Sequence, residues 1–279
     1  MSSSCETCSK NADGGCSAEE RQACTKSMAM EASNVKKVIA VMSGKGGVGK
    51  STVTALLAAG LVRSGFKTGI LDADVTGPSI PRMFGISKKS LELTEFGMLP
   101  ALSRTGVSIV SMNLLLEKES DPIIWRGPLV AGAVKQFWEE VVWGDLDFLL
   151  VDLPPGTGDV PLTVMQSLPV SGIVIVSSPQ ELVKMIVKKA IKMAGIVKIP
   201  VLGLVENLSY AVCPKCGEEF AIFGETGGKK TAAETGIPFL GRLPLDQRLT
   251  EDADQGRVEQ YEAESVNSFI SSFLQQIKS

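Results

Sequence analysis

The sequence predicts a three-layer α/β fold in which helices cover both faces of a doubly wound, mostly parallel sheet. Two observations support this prediction. Short apolar segments rich in β-branched residues alternate with longer segments of helical character along most of the chain. Several of these apolar segments also end in a carboxylate or in a glycine-rich turn, which is typical of the ligand-binding edge of a parallel sheet.

Hydrophobic periodicity, together with glycine and proline turns, sets the positions at which we expect the elements. The predicted strands cover residues 38–42, 67–71, 107–112, 148–151, 172–177 and 201–204, with a short strand before Pro244. The longest predicted helices cover residues 51–63 and 181–195. Residues 88–122 otherwise carry loop signals, and we assign no site to them.

A glycine-rich segment joins the first predicted strand to the first predicted helix and fits the pattern G-x-x-x-x-G-K-[ST]. Glycines allow consecutive backbone N–H groups to surround a polyphosphate, and the following helix presents its positive end. We expect Lys50 to neutralise phosphate charge and Ser51 to hold Mg²⁺. The predicted ATP-binding residues of this segment are Gly44, Lys45, Gly46, Gly47, Val48, Gly49, Lys50, Ser51 and Thr52.

A second lysine, Lys45, follows the first glycine of this segment. A lysine at this position cannot easily reach the phosphates bound by its own chain. The string KGGVGKST resembles the deviant Walker A motif of the MinD/ParA/nitrogenase-iron-protein class of P-loop NTPases. The resemblance implies a homodimer, in which the signature lysine reaches the partner's nucleotide, and a catalytic role for Lys45 beside Lys50.

Carboxylates follow two of the predicted strands. Asp72 and Asp74 come at the end of the second strand, where they can serve the magnesium shell and the attacking water. Asp152 ends the apolar run 148–151, which is the Walker B pattern and places this acid near the magnesium ion. The next residues read LPPGTGD, and their stiff prolines and permissive glycines suit a switch loop that senses the γ-phosphate.

The composition excludes several classes of active site and partner. The chain has 279 residues, a net charge of −3 and no histidine, which rules out Ser-His and Cys-His pairs and every histidine-containing metal site. No segment combines basic with aromatic residues, and we therefore expect no nucleic-acid partner. The polar N-terminus lacks the apolar core of a secretory signal, and we expect a cytoplasmic protein with reduced thiols.

Apolar residues recur at helical spacing near the C-terminus. The polar positions between them carry glutamates, whereas a helix that lies on a membrane surface is usually basic. We therefore expect this stripe to pack in the core, and we expect no membrane partner. The stripe consists of Val258, Tyr261, Val266, Phe269, Ile270, Phe273 and Ile277.

Six cysteines lie outside the central nucleotide-binding part. A polar extension, residues 1–34, precedes the predicted ATPase domain, residues 35–279, and has too few large apolar side chains to fold alone. Its cysteines could bind a 4Fe-4S cluster or zinc, or could remain free thiols without a metal. These four residues are Cys5, Cys8, Cys16 and Cys24.

The other two cysteines, Cys213 and Cys216, form a CPKCG motif. Two thiolates supply only half of a tetrahedral S4 site, and a two-fold dimer would supply the other half. The spacing alone leaves an iron-sulfur cluster, zinc and a redox dithiol as alternatives.

Several further segments occur in order between residues 38 and 256, and together they resemble the Mrp/ApbC family of P-loop iron-sulfur carriers. The segments are WRGP, LDFLLVDLPPGTGD, SSPQE, GLVENLS, CPKCG, IFG with a following GG, and LGRLPLD. The resemblance assigns roles to eight residues. Lys45 is the signature lysine, Lys50 and Ser51 bind phosphate and magnesium, Asp74 orients water and Asp152 is the Walker B acid. Asn207 reads adenine, and Cys213 and Cys216 hold the cluster.

The resemblance implies an ATP-dependent homodimer that binds a 4Fe-4S cluster across its interface and passes it to apoproteins, with slow magnesium-dependent ATP hydrolysis. Its expected partners are these apoproteins and a cluster-assembly scaffold. The N-terminal cysteines do not keep the C-x13-C-x2-C-x5-C spacing of the extended eukaryotic members, which puts a second cluster in doubt. Two alternatives remain: a MinD/ParA-type positioning ATPase and a nucleotide-gated electron-transfer protein.

Overall fold

Strands and helices alternate along the chain, as the sequence predicts. The computed structural model describes residues 28–74, 79–86, 92–95, 97–111, 127–179, 183–224 and 227–278. The strands in these ranges are β1 (Asn34–Ser43), β2 (Thr68–Asp72), β3 (Glu92–Thr94), β4 (Gly97–Leu99), β5 (Ala101–Leu102), β6 (Ser108–Ser111), β7 (Asp145–Asp152), β8 (Val170–Ser177), β9 (Val201–Glu206), β10 (Ala211–Val212), β11 (Glu219–Phe220) and β12 (Phe239–Arg242).

Helices connect most of these strands, and one helix closes the described part of the chain. The α-helices are α1 (Met28–Glu31), α2 (Lys50–Arg63), α3 (Ile80–Met83), α4 (Gly127–Glu140), α5 (Asp159–Ser167), α6 (Val183–Val197), α7 (Gly228–Thr235), α8 (Gln247–Asp254) and α9 (Glu264–Lys278). A single 3₁₀ turn, Val258–Gln260, lies between α8 and α9.

The central sheet has eight strands in the order β12-β9-β8-β1-β7-β2-β6-β5. Strand β1 lies near its middle and pairs in parallel with β7 and β8. Only the short edge strand β5 runs antiparallel within the described part of this sheet. Parallel neighbours bring the carboxyl ends of β1, β2, β7, β8 and β9 to one edge, and that edge carries the predicted site.

Hydrophobic side chains cover both faces of the sheet because successive strand residues point to opposite sides. Ala40 of β1 belongs to one apolar cluster, with buried residues of α4, α5, α6 and α7. Its neighbours Ile39 and Val41 belong to the other cluster, with buried residues of α2, α3, α8 and α9. The predicted three-layer, doubly wound α/β fold is therefore confirmed.

The observed strands differ from the predicted ones mainly at their ends. Strand β1 begins at Asn34, before the predicted start at residue 38, because its pairing with β7 starts at Asn34 and Asp145. Strand β2 begins one residue later than predicted and includes Asp72. Met112 and residues 181–182, which were predicted in a strand and in a helix, lie outside the described residues.

The C-terminal apolar stripe packs in the core, as predicted. Six of its seven residues are buried, and Ile277 is partly buried against the same cluster. Among the described residues, no helix combines the length and the apolar character that a membrane span requires.

Helix α1 lies inside the segment that composition predicts to be an extension. Ala29 is buried and faces Gly97 of β4 so closely that a Cβ atom at Gly97 would crowd it. The main-chain nitrogen of Trp143 also donates to the hydroxyl of Ser33. The folded part of the chain therefore includes residues ahead of the expected boundary at residue 34. The four predicted N-terminal metal ligands, Cys5, Cys8, Cys16 and Cys24, lie outside the described residues.

Candidate nucleotide site and cysteine hairpin

The predicted phosphate-binding loop connects the buried end of β1 to the first residue of α2. Gly49 has a φ of 75° and precedes the helix directly, a backbone conformation that glycine adopts without strain. A Cβ atom at Gly49 would also overlap the carboxamide of Asn207, and one at Gly44 would overlap Ile186 of α6. The loop is therefore closely enclosed on two sides.

Lys50 is the cation of a buried charge network at the start of α2. Its ammonium nitrogen lies 2.7 Å from Oδ2 of Asp152 and 3.3 Å from Oδ2 of Asp74. The side chain is only 5 % exposed, and such a buried cation needs opposite charges around it. The structure thus brings together three predicted site residues that lie far apart in the sequence.

Hydroxyl groups complete the surroundings of Asp152. Ser51 donates from Oγ to Oδ2 of Asp152 at 2.5 Å, and Thr54 donates from Oγ1 to Oδ1 at 2.8 Å. Sequence reasoning did not identify Thr54, although its place one helical turn after Ser51 was the available signal. Asp152 is fully buried, and both of its oxygens are held by α2.

Asp72 lies directly beside Asp152, because the two residues are paired in register on β2 and β7. It accepts hydrogen bonds from the hydroxyl of Ser111, at 2.9 Å, and from the main-chain nitrogen of Asp74, at 3.1 Å. Burial, followed by the negative charge of Asp152, raises the pKa of Asp72 to about 8. The neutral acid therefore predominates at pH 7, which limits the charge of the cluster.

The donor set fits a hard divalent cation. The hydroxyl of Ser51 and the carboxylate of Asp152 are adjacent oxygen ligands, which is the chemistry that Mg²⁺ prefers when it is held together with phosphates. Asp72 belongs to the same cluster, but protein donors already contact both of its oxygens. Protein donors contact both oxygens of Asp152 as well. That Ser51, Asp72 and Asp152 form the magnesium shell therefore stays a prediction.

Lys45 is half-buried in the loop. Its main-chain oxygen accepts a hydrogen bond from Oγ of Ser43 at 3.0 Å, which holds the start of the loop against the end of β1. The role expected for the Lys45 side chain requires a second chain. Its action across a dimer interface stays a prediction.

A cavity of 360 Å³ opens beside the phosphate-binding loop. Asn207 lies on its wall and donates from Nδ2 to the main-chain oxygen of Val48 at 2.9 Å. One N–H and the carboxamide oxygen of Asn207 then retain the capacity to read a base edge. The described residues that line the cavity are Gly49, Thr52, Ser79, Arg82, Met83, Asn207, Leu208, Pro244, Leu245, Asp246, Leu249, Thr250, Ala253 and Asp254.

The CPKCG motif forms the tip of a small hairpin. Strands β10 and β11 have two residues each and pair in antiparallel fashion. The main-chain nitrogen of Gly217 donates to the oxygen of Cys213 at 2.9 Å, and Gly217 has a φ of 76°. Cys213 is half-buried and Cys216 is exposed.

Hydrogen bonds from the backbone of Cys216 and of Lys215 lower the pKa of the Cys213 thiol, which favours the thiolate that a metal ligand requires.

Arg242, at the end of β12, fixes the hairpin to the central sheet. Its guanidinium pairs with Oε2 of Glu219 at 2.6 Å and lies 4.4 Å from the ring centre of Tyr210. The main-chain nitrogen of Leu245, on the wall of the cavity, donates to the oxygen of Tyr210 at 2.7 Å. Sequence reasoning did not identify Arg242, whose only signal was its place in LGRLPLD.

The hairpin supplies an incomplete metal site within one chain. In the described ranges, no group of three or more His, Cys, Asp or Glu side chains is arranged to hold a metal ion. Two thiols on one exposed tip fit half of an S4 set. That Cys213 and Cys216 bind a metal with ligands from a second chain stays a prediction.

The fold and the loop define a P-loop NTPase: a parallel sheet, a glycine-rich loop between β1 and α2, and a buried lysine, serine and aspartate at the phosphate-binding position. The chain belongs to the ParA family, because the family model described as "NUBPL iron-transfer P-loop NTPase" matches residues 34–278.

Two proteins named "Iron-sulfur cluster carrier protein" are among the relatives of this chain. The one from Clostridium perfringens is 44% identical over 268 residues, which cover 94% of this chain and 92% of the relative. The one from Methanocaldococcus jannaschii is 49% identical over 225 residues, which cover 80% of this chain and 78% of the relative. The chain therefore shares nearly its whole folded part with proteins of this name.

Solved structures with the same fold include a nucleotide-binding protein from Archaeoglobus fulgidus in complex with ADP. It is 49% identical, has a TM-score of 0.75, and matches over 82% of this chain and 90% of its own. The cell-division ATPase MinD of Pyrococcus furiosus has a TM-score of 0.55 at 20% identity, over 87% of this chain and 98% of its own. At that identity the likeness to MinD concerns the fold alone.

Proposed function

We propose that this protein is an ATP-dependent carrier that binds a 4Fe-4S cluster on Cys213 and Cys216 and transfers it to apoproteins. The observation that carries the proposal is the exposed CPKCG hairpin, which follows directly on the predicted nucleotide-binding residue Asn207. The names of the relatives support the same role, since proteins named as iron-sulfur cluster carriers align with nearly the whole folded part of this chain.

The cluster is the cargo and needs four thiolate ligands, of which one chain offers two in the hairpin. We infer that a two-fold dimer brings two hairpins together, because the same surface then faces itself across the axis. Large apolar side chains around the cysteines support a contact there, since exposed apolar patches mark interaction sites. Val212, Phe220, Ile222 and Phe223 are between 37% and 51% exposed.

The chemistry of the nucleotide site is hydrolysis of ATP to ADP and phosphate. A water oxygen forms a bond to the γ-phosphorus, the bond from that phosphorus to the β–γ bridging oxygen breaks, and ADP retains the electron pair. Of the two protons of the water, one stays on the phosphate and one passes to solvent. Asp74 orients the water, Lys50 and Lys45 offset the charge that develops on the phosphates, and Asn207 reads the adenine. When bound through Ser51 and Asp152, Mg²⁺ supplies further charge neutralisation.

The two sites are joined by short hydrogen-bonded segments. Asn207 contacts the phosphate-binding loop through Val48, and Tyr210, three residues later, accepts from Leu245 on the cavity wall. If exchange of ATP for ADP shifts the phosphate-binding loop or the cavity wall, the base of the hairpin should therefore move as well. We propose that slow hydrolysis switches the geometry of the dimer in this way and so alters how tightly the cluster is held.

Anaerobic reconstitution with iron and sulfide tests the proposal. We expect iron and sulfide in equal amounts, thiolate-to-iron charge-transfer absorption, and transfer of the cluster to an apo-ferredoxin. The Cys213→Ser variant serves as the matched control, because it keeps the nucleotide site and loses one ligand. Zinc in place of iron, or a reversible dithiol without metal, would contradict the carrier function and favour the other two interpretations of the CPKCG pair.

A further inference from the structure

Helix α6 exposes a row of lysines that the proposed chemistry does not use. Residues 183–197 read VKMIVKKAIKMAGIV, with four lysines and no Asp or Glu. Lys184, Lys188, Lys189 and Lys192 are all exposed, whereas Val187, Ala190, Met193 and Ala194 are buried against the sheet. One side of α6 is therefore a core face, and the other is almost purely cationic.

Lys230, in the first turn of α7, extends this surface towards the hairpin. Glu234 of α7 pairs with Lys184 at 2.5 Å. The hydrogen bond from Lys184, followed by the charges of Lys184, Lys230 and Lys188, lowers the pKa of Glu234. The three cations thus lie around one carboxylate. We refer to Lys184, Lys188, Lys189, Lys192 and Lys230 as the lysine face.

The lysine face is placed between the two sites. Ile186, on the first turns of α6, packs against the phosphate-binding loop at Gly44. The main-chain nitrogen of Gly228, the first residue of α7, donates to Oε2 of Glu206, and Oε1 of Glu206 accepts from the hydroxyl of Ser209, which lies just before the hairpin. A molecule bound on the lysine face would therefore lie beside the base of the hairpin and close to the phosphate-binding loop.

The arrangement of charges is unfavourable for the isolated chain. Lys184, Lys188 and Lys192 are spaced four residues apart, and like charges at this spacing destabilise a helix. Only Lys184 of the lysine face forms an ion pair with a residue that the structure describes. The chain as a whole carries a net charge of −3, so the charge of this surface is opposite in sign to that of the whole chain. An acidic partner would offset the repulsion.

We propose that the lysine face docks an acidic surface of the apoprotein that receives the cluster. The proposal rests on the carrier function and adds the chemistry by which the recipient is recognised. Carboxylates spaced along a helix or strand match ammonium groups that recur once per helical turn. The docked recipient would face the hairpin from the side, with its own cysteines directed towards Cys213 and Cys216.

Other occupants fit the surface less well. A second copy in a two-fold dimer would place lysines against lysines wherever the lysine face lies on the symmetry axis. A single-stranded nucleic acid would stack on aromatic or arginine side chains, and α6 contains none. Lysines alone can bind duplex DNA, and binding to DNA is therefore one outcome of the test below. A membrane needs a continuous apolar stripe, whereas the exposed apolar residues Met185 and Ile196 lie three helical turns apart.

A charge-reversal experiment with a control of equal net charge tests the proposal. The test variant carries Lys188→Glu, Lys189→Glu and Lys192→Glu. The control carries Lys67→Glu, Lys135→Glu and Lys278→Glu, three lysines that are also exposed but lie on other surfaces. The probe is the apo form of a small acidic ferredoxin, and its binding to the full chain is measured by fluorescence titration at two salt concentrations.

We expect the test variant to bind the apo-ferredoxin at least about tenfold more weakly than wild type at low salt, and the control to change by less than about twofold. If the charge reversal impairs folding, a milder variant, Lys188→Gln with Lys192→Gln, takes its place. It should show part of the loss of binding. Iron content and nucleotide affinity should remain those of wild type in all variants.

Three results would overturn the proposal: equal weakening in test and control variants, no measurable binding by wild type, or lysine-dependent binding to phosphatidylglycerol vesicles or DNA without binding to the apo-ferredoxin. The carrier function fails separately, if wild type takes up no iron. Cluster transfer that is equally fast in both triple variants would leave the carrier function intact and remove the docking role.

Discussion

The phosphate-binding edge and the cysteine hairpin lie in one chain but are built in opposite ways. At the edge, Lys50 and Asp152 are buried, and every carboxylate oxygen of Asp152 has a protein partner at 2.8 Å or less. The hairpin has two-residue strands, and Cys216 is exposed. The first site is preorganised by a single chain, and the second is open.

This difference corresponds to what each site must do. Charge stabilisation of a phosphate requires groups whose positions do not change during the reaction, and burial in a parallel sheet provides that rigidity. A carrier must release its cargo, and a site with too few ligands in one chain can be closed by one partner and opened by another. We therefore expect substitutions at the two sites to have separate effects.

The largest effects should come from the two lysines of the phosphate-binding loop, and Lys50→Ala removes the one that serves the phosphates bound by its own chain. Loss of a charge-assisted contact worth about 3 kcal/mol weakens ATP binding by about a hundredfold. Lys45→Ala is the matched control in the same loop, because it should bind ATP nearly as well as wild type. Its hydrolysis should nevertheless fall by about a thousandfold, which is the lower range for a cation supplied from a partner chain. Full ATPase activity in Lys45→Ala would disprove the cross-dimer role.

Two acid substitutions should separate turnover from metal binding at the buried edge. Asp74→Asn should slow hydrolysis about a hundredfold with ATP still bound, because Asp74 is expected to orient the water. Asp152→Asn should raise the magnesium concentration for half-maximal activity about tenfold. Activity and nucleotide affinity measured across a magnesium titration provide the comparison. Equal losses of affinity in both variants would show that the two roles are wrongly assigned.

The raised pKa of Asp72 predicts a pH dependence of stability for the protein without nucleotide. In the folded state the Asp72 carboxyl keeps its proton up to about pH 8, whereas in the unfolded chain it loses this proton near its ordinary pKa of 3.8. The folded state then binds more protons across this window, and the free energy of unfolding decreases as the pH rises through it. Urea unfolding of Asp72→Asn should show a smaller decrease. An identical pH profile in wild type and variant would contradict the assignment.

The smallest effect should come from Arg242→Ala, which releases the hairpin from β12. The ion pair with Glu219 and the contact with Tyr210 are half-exposed, and together they are worth about 1 kcal/mol. We expect the affinity of the hairpin for Co²⁺, followed by its thiolate absorption, to fall about fivefold. Arg248→Ala is the control, since Arg248 makes the same kinds of contact with Asp246 and Tyr261, neither of which belongs to the hairpin strands. A similar loss in the control would remove the special role of Arg242.

The buried edge could be predicted from the sequence to a large extent. The loop pattern identified Lys50 and Ser51, and strand ends identified Asp74 and Asp152, because backbone geometry and the period of the strands determine these positions. Thr54 and Ser111 were missed. The spacing of Thr54 from Ser51 was a weak signal, and Ser111 at the end of a strand has none. Only the fold, in which α2 contacts β7 and β6 pairs with β2, brings these two hydroxyls to the acids.

The hairpin could be predicted only in part. CPKCG indicated two thiol ligands, but the contacts that hold the hairpin depend on Arg242, whose strand follows Cys216 after a helix and a turn. Such a contact between distant segments leaves no periodic signal in one sequence. The lysine face was likewise missed, because the alternation of buried and exposed sides of α6 becomes informative only once the sheet defines which side is the core.

Iron content measured together with sedimentation tests the central claim, that the hairpin is half of a site that a second chain completes. We predict that reconstituted wild type is a dimer with one 4Fe-4S cluster on the two hairpins, or about two hairpin-bound irons per chain. Cys213→Ser and Cys216→Ser should each lose these irons, sediment as monomers without nucleotide, and bind ATP as wild type does. Unchanged iron and dimerisation in both variants, or a wild-type monomer that keeps about two irons per chain on this pair, would contradict the account.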